Sequence, residues 1–335
     1  MKKILIILLV LFLIVDAAGL FVLNKLNKIS YDSPVSDNSP SSDNSPLSIL
    51  NSPLPDNSPL PSSGTERSDL SISAPEGEIE TEKGIMNILL LGTDMRIAGT
   101  SDPGRSDCTM LCSLNKGTGE VKLISFERGV YVPVDDDDPS TPAYDILTHV
   151  YRWGGAKLME KTIENMFLVD VDGYAQVDFD TFSAIVDELG GIDIELTNEE
   201  ATHLNDYQST EAVMAEGVNH VNGHDALAYC RLRKTDDNWA RQQRQRNAII
   251  AIVKQVKSLG ILELNSLADE ILPYVHTDLT KTQIASLLLS SPKFLKMNIS
   301  QMQVPEKNRT EYNSIECDFA EQAERIKEFI YGDNK

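Results

Sequence analysis

The chain has 335 residues, 51 of them acidic and 30 lysine or arginine, for a formal charge of -21. That balance excludes a general binder of nucleic acid or anionic membrane, because phosphate-rich surfaces are gripped by basic ones. An anion site in this protein has to be a local concentration of positive charge. Four cysteines, Cys108, Cys112, Cys230 and Cys317, lack the spacing of a disulfide scaffold or a zinc site. Cys108 and Cys112 fall on one predicted strand, about 13 Å apart by strand rise and too far to bridge. Buried free thiols are expected, with a Cys230–Cys317 bridge left open.

Lys2 and Lys3 precede an apolar run from Ile4 to Val15; Asp16 follows, and Ala17 to Leu23 is apolar again. A segment of about 20 residues is long enough to span roughly 30 Å of hydrocarbon. Residues 1–28 read either as a transmembrane anchor carrying one costly carboxyl group or as a signal peptide cleaved near Val15-Asp16-Ala17. Both readings export the rest of the chain, as a single-pass membrane protein with an extracytoplasmic C-terminal domain or as a secreted one. Residues 29–83 form a spacer that repeats Asp-Asn-Ser-Pro at Asp37–Pro40, Asp43–Pro46 and Asp56–Pro59. Proline removes backbone donors and Ser, Asn and Asp bring no apolar surface, so a disordered tether is expected there.

Residues 84–335, about 250 in number, suffice for a single large α/β domain. Asn87–Leu91 is apolar and runs into Gly92-Thr93-Asp94, a strand leading to a loop that presents a carboxylate. Cys108–Leu114 and Glu120–Phe126 read as strands joined by the hairpin connection Asn115–Gly119. Gly155–Phe167 has helical periodicity, Tyr174–Phe179 reads as a strand, Thr181–Leu189 as a helix ended by Gly190-Gly191, and Ile192–Leu196 as a strand. Gly223–Cys230 is a short predicted helix and Trp239–Leu259 a long one, started by Asp237 or Asn238 and stopped by Gly260. Two further helices, Ile284–Leu289 and Phe319–Tyr331, follow. Alternating strands and helices predict one layered α/β domain with a mixed central sheet flanked by helices.

Arg231, Arg233, Lys234, Arg241, Arg244 and Arg246 place six basic residues against two aspartates within 16 positions. In so acidic a chain this asymmetry is the most informative physical feature. If the backbone is extended at Arg231 and Arg233, both guanidinium groups point to one side. Arg241, Arg244 and Gln245 are near neighbours on the first turns of the long helix, whose N-terminus favours phosphate. A second cluster, Asp94, Arg96, Arg105 and Asp107, flanks the loop Ile97–Gly104, and Arg128 ends a third predicted strand. Carboxylates on adjacent strand ends are what a Mg²⁺ shared with substrate phosphates requires. Asp135–Asp138 reads as a solvated acidic loop, and neither a His-Glu-x-x-His nor a Gly-x-Ser-x-Gly pattern is present.

These residues, in order, resemble the LytR-CpsA-Psr family of envelope phosphotransferases from about Asn87 to Lys257. The resemblance rests on Leu91–Arg96, Arg105-Ser106-Asp107, Ile124–Arg128, Gly173-Tyr174 through Asp178-Phe179, Leu189–Ile192, Ala226–Arg233 and Arg241–Gln245. It implies transfer of an anionic glycopolymer from a polyprenyl-pyrophosphate carrier to a peptidoglycan hydroxyl, with Mg²⁺ and without nucleic acid. It implies that Asp94 and Asp107 hold the metal, with Arg128 beside them in the catalytic group. Arg105, Arg128, Arg231, Arg233, Arg241 and Gln245 are implied to bind pyrophosphate. Two positions depart from the family pattern. Glu127-Arg128-Gly129 stands where Pro-Arg-Asp is usual, and Asn238 where Asp is favoured. A non-catalytic binder of the same lipid or polymer, or an envelope-linked transcriptional attenuator, is the alternative expectation.

Overall fold

The computed structural model describes residues 30–31, 72–94, 104–136, 141–206, 210–232, 238–259, 276–294, 299–306 and 317–332. The expected N-terminal span and the proline-rich repeats lie outside them. Among the described residues no helix is long and apolar enough to cross a membrane.

Among the described residues seven strands form one mixed sheet. In spatial order they are β1 (Ser30–Tyr31), β10 (His276–Thr277), β7 (Gly173–Asp178), β2 (Ile85–Asp94), β3 (Arg105–Asn115), β4 (Val121–Phe126) and β11 (Ile299–Val304). β2 is parallel to β7 and antiparallel to β3, while β11 lies parallel to β4 at the edge. Two small two-stranded antiparallel sheets stand apart: β5 (Tyr131–Pro133) with β6 (Tyr144–Ile146), and β8 (Ile192–Leu196) with β9 (Gly217–Val221). The helices are α1 (Leu147–Phe167), α2 (Phe179–Glu188), α3 (Asn198–Asp206), α4 (Gly223–Arg231), α5 (Asn238–Ser258), α6 (Lys281–Phe294) and α7 (Phe319–Tyr331).

Period-two alternation in β2 explains the two cores. Met86, Ile88 and Leu90 face one side, where they join Phe182, Ile185, Ile249, Ile252 and Leu287 from α2, α5 and α6. Leu89 and Leu91 face the other, against Met159, Ile163 and Phe167 of α1 and Ile326 and Ile330 of α7. Because both faces are covered, β2 is buried from Met86 to Asp94 and reads in sequence as a nearly continuous apolar run. The apolar faces of Phe182–Leu189 and Ile249–Val256 meet in the first of these clusters. Cys230 belongs to that cluster and Cys317 packs on the other, so the sheet separates them and both are free thiols.

The predicted strands and helices are present, several with longer bounds. α1 begins eight residues before the predicted Gly155 because Leu147, Val150 and Tyr151 also bury. It kinks at Gly154 and Gly155, the latter at φ 62, a left-handed conformation that glycine adopts without penalty. Packing also begins before Gly84. Ile72 rests on the second core, Glu80 bridges Val169, and Ser30–Tyr31 of the expected spacer pairs with β10.

At the start of β7, Glu160 is buried beside Lys157, whose ammonium also bonds Asp278. Burial pushes the Glu160 carboxyl up to about 7, and Asp278 and Glu164 add to this while Lys157 opposes it. A carboxyl raised in the folded state stabilises the fold below its unfolded pKa of about 4.5 and loses that contribution as pH rises through about 7. Urea midpoints of the parent should therefore decline over that window, and Glu160→Gln should flatten the decline; equal slopes would refute the assignment. Close packing of α4 on α2 gives a second expectation, since a Cβ on Gly223 would lie 2.0 Å from the Ser183 carbonyl oxygen. Gly223→Ala should cost about 1–3 kcal/mol, seen as a drop of several degrees in Tm; an unchanged Tm would contradict the packing.

Candidate functional site

The site lies at the end of the sheet where β2, β4, β7 and β11 finish and β3 begins. Ligands of open α/β sheets commonly bind at such an end, beyond the carboxyl ends of strands. Asp94, buried, is the last residue of β2 and stands opposite Arg105, the first of β3. Between them the register slips: Gly92 pairs with Cys108 but Thr93 with Ser106, which leaves Asp107 as the extra residue of a bulge. Ser106 holds that bulge, its hydroxyl bonding the Cys108 carbonyl at 3.1 Å, while Thr148 of α1 donates to the Ser106 carbonyl at 3.0 Å. A bulge re-aims its side chain, and Asp107 meets Arg128 in an ion pair through Nη1 and Oδ1. The two side chains are only 14% and 16% exposed, so water screens the pair weakly.

Arg128 leaves the end of β4 in a tight turn. Its carbonyl accepts from the Thr148 N–H at 3.0 Å, and Val130 accepts from the Leu147 N–H at 2.8 Å, which seats the start of α1 on the turn. Glu127, one residue earlier, is completely buried. Its N–H donates to the Val304 carbonyl at 2.8 Å, Oε1 accepts from the Gly129 N–H at 3.3 Å, and Oε2 accepts from Gln242 Nε2. Gln242 lies in the first turns of α5, next to Arg241. One buried residue thus holds the Arg128 turn, the edge strand and the arginine-bearing helix together, the strand through its N–H and the other two through its carboxylate. Sequence comparison registered Glu127 only as a departure from pattern, because burial is not visible in one sequence.

The basic cluster divides by role. Arg241 and Gln245 are buried at the start of α5, and Gln245 Oε1 has no hydrogen-bond partner among the described residues. Arg244 instead donates to the Leu232 carbonyl at 2.6 Å and approaches Glu200 at 3.3 Å, fixing α5 to α4 and α3. Arg246 donates to Ser125 Oγ at 2.8 Å and Gln301 Oε1 at 3.0 Å, and burial lowers its pKa to about 10, so it remains charged. Arg231 is not on an extended segment: it is the last residue of α4, exposed, with its guanidinium 5.1 Å above the Phe179 ring. Phe179 follows Asp178, which pairs with Thr93, so Arg231 faces the same end of the sheet as Asp94. Arg233, Arg96 and most of the loop Ile97–Gly104 lie outside the described residues.

Asp94, Arg105, Asp107, Arg128, Arg231, Arg241 and Gln245 are therefore gathered from five elements onto one sheet end. Guanidinium groups beside two carboxylates can grip phosphate oxygens bidentately and leave hard oxygens for a cation. A double-mutant cycle tests the junction beneath them. Glu127→Ala and Gln242→Ala should show a coupling of about 0.5–3 kcal/mol in urea denaturation; additive effects would mean the contact does not link the elements.

Comparisons with known proteins identify the family and the fold. The LytR_cpsA_psr family model matches residues 60–331. A Bacillus subtilis (strain 168) protein named polyisoprenyl-teichoic acid–peptidoglycan teichoic acid transferase TagT is 32% identical over 186 residues, 55% of this chain and 56% of its own length. A TagU transferase of the same description from Bacillus anthracis (strain CDC 684 / NRRL 3495) is 31% identical over 234 residues, 68% of this chain and 72% of its own. A solved structure described as TagT bound to LIIa-WTA has a similar fold, with TM-score 0.61 and 24% identity over 78% of this chain and 96% of that one. The chain belongs to the LytR_cpsA_psr family.

Proposed function

We propose that this protein transfers an anionic glycopolymer from a polyprenyl-pyrophosphate carrier to a peptidoglycan hydroxyl, acting outside the cytoplasm from an N-terminal membrane anchor. The observation that carries this reading is the Arg128–Asp107 pair, set among Arg105, Arg231 and Arg241 at one end of the sheet in a protein of charge -21. The names of the relatives support the same reaction class.

In that reaction an acceptor hydroxyl oxygen attacks the polymer-bearing phosphorus. The new O–P bond forms as the bridging P–O bond breaks, and polyprenyl phosphate departs with the electron pair. Arg105, Arg128, Arg241 and Arg233 would hold the pyrophosphate oxygens, with Arg231 at the rim and the Gln245 side chain beside Arg241. Fixed positive groups stabilise the charge spread over the transferring group without reorganising. A carboxylate of Asp94 or Asp107 would take the hydroxyl proton. The two aspartates, on adjacent strand ends, fit Mg²⁺, which needs one or two carboxylates beside water and phosphate. Asp107 is held in place by Arg128. When bound, the ion would neutralise charge on the phosphoryl oxygens.

One feature favours a second reading, a binder without turnover: Gly129 puts no carboxylate after Arg128. Release of polyprenyl phosphate separates the two. Detergent-solubilised full-length protein, given Mg²⁺ and a short polyprenyl-pyrophosphate glycan, should release the lipid phosphate. Arg128→Ala and Asp107→Ala should each slow release by about 10²–10³-fold, and chelation should stop it until Mg²⁺ is restored. Lipid retained without release by a folded parent would establish the binder instead.

A further inference from the structure

Beside the anion site runs a groove of about 720 Å³ between the first turns of α5, the edge strand β11 and the helix α7. We propose that it binds an uncharged glycan strand; as the acceptor's place it rests on the transferase reading above, but its binding chemistry stands separately.

Its walls combine aromatic surface with oriented carboxamides. Trp239 and Phe329 line it, and the indole is fixed by a 3.2 Å hydrogen bond from Nε1 to the Pro305 carbonyl. Such flat apolar faces accept the C–H face of a pyranose ring, while its rim of hydroxyls needs donors and acceptors. Gln301 and Gln303 on β11 supply them. Arg246 donates from Nε to Gln301 Oε1 at 3.0 Å and from Nη2 to Gln303 Oε1 at 3.3 Å. Arginine has only donors, so this anchoring fixes which end of each carboxamide is oxygen and turns the NH₂ ends away from it. Gln303 Nε2 is buried and has no acceptor among the described residues. A donor without an acceptor is costly, and a small shift of the Gln303 side chain would offer it to a ligand hydroxyl.

Charge selects among ligands. The ionisable groups on the walls are Glu306, Glu328 and Arg325, and Arg325 is paired with Glu306. Two carboxylates against one guanidinium disfavour a polyanion and leave acceptors for sugar hydroxyls. The groove and the anion site are two sides of the same helix turns: Trp239 and Gln243 line the groove, buried Arg246 braces its glutamines from behind, and the helical spacing turns Arg241 and Gln245 to the other side. Gln242, bonded to Glu127, lies between them. A strand in the groove would deliver a hydroxyl toward Arg128 without competing for the pyrophosphate.

The test uses the full-length chain in detergent with Trp153→Phe, which leaves Trp239 as the sole tryptophan of the two. Titration with a hexamer of N-acetylglucosamine should change Trp239 fluorescence saturably, with Kd below about 1 mM. Phe329→Ala and, with less risk to folding, Gln303→Ala should each weaken binding about tenfold. Arg128→Ala should bind the hexamer as the parent does while losing lipid-phosphate release. No saturable change, or saturation by a wall-type peptide or by poly(glycerol phosphate) in place of the hexamer, would overturn the glycan assignment even if release proceeds. Hexamer binding without release would keep the groove as a glycan site and remove the transferase reading.

Discussion

Everything at the working end of this domain hangs on Glu127. A carboxylate without access to water is tolerated only when hydrogen bonds replace its hydration. Here they come from Gln242 on α5 and the Gly129 amide in its own turn, while the Glu127 N–H ties the turn to β11. Arg128 cannot take its place beside Asp107 unless the chain around Glu127 is in place. That arrangement in turn requires the long helix and the edge strand. The arginines are therefore presented by a junction of three elements and not by a loop free to rearrange.

Charge is also sorted along the sheet. Carboxylates of Glu160, Glu164, Asp170, Asp172 and Asp278 gather toward the beginning of β7, and burial raises the pKa of the first four. Arginines gather at its far end. Arg246 adds to that end a buried cation whose hydrogen-bond partners, Ser125, Gln243, Gln301 and Gln303, are all neutral. An acidic protein can thus hold a positive pocket, since a buried charge is screened far less than the exposed acids around it. Net charge sets the solubility of the whole; the local field sets what binds.

The helix α5 does several things at once because its first turns have different neighbours on each side. Arg244 clamps it to α4 and α3, Gln242 and Arg246 join it to the sheet, and Arg241 and Gln245 are buried on its first turns. Trp239 and Gln243 leave it open to the groove at β11. In the proposed reaction one rigid element would serve both donor and acceptor, and it holds geometry better than separate loops would.

Much of this was legible in one dimension. β2, α2, α4, α5 and α7 follow from period-two or helical patterning with caps and glycine stops, and the ordered motifs pointed to Asp94, Asp107, Arg128 and Arg241. Those signals are local, so a single sequence carries them. Other features are long-range and left little trace. β11 is half exposed and rich in glutamine, so nothing in Ile299–Val304 announces an edge strand pairing with Val121–Phe126. The bulge at Asp107 exists only as a register between two strands. Six basic residues in a row of 16 gave a charge, but which of them bind and which brace depended on what each meets across the fold. By itself the sequence determined the layers, the acidic balance and the residue types available to the site. Tertiary structure alone decided their burial and partners, because both depend on segments more than 100 residues apart, as in the contacts of Glu127 with Gln242 and of Arg246 with Ser125.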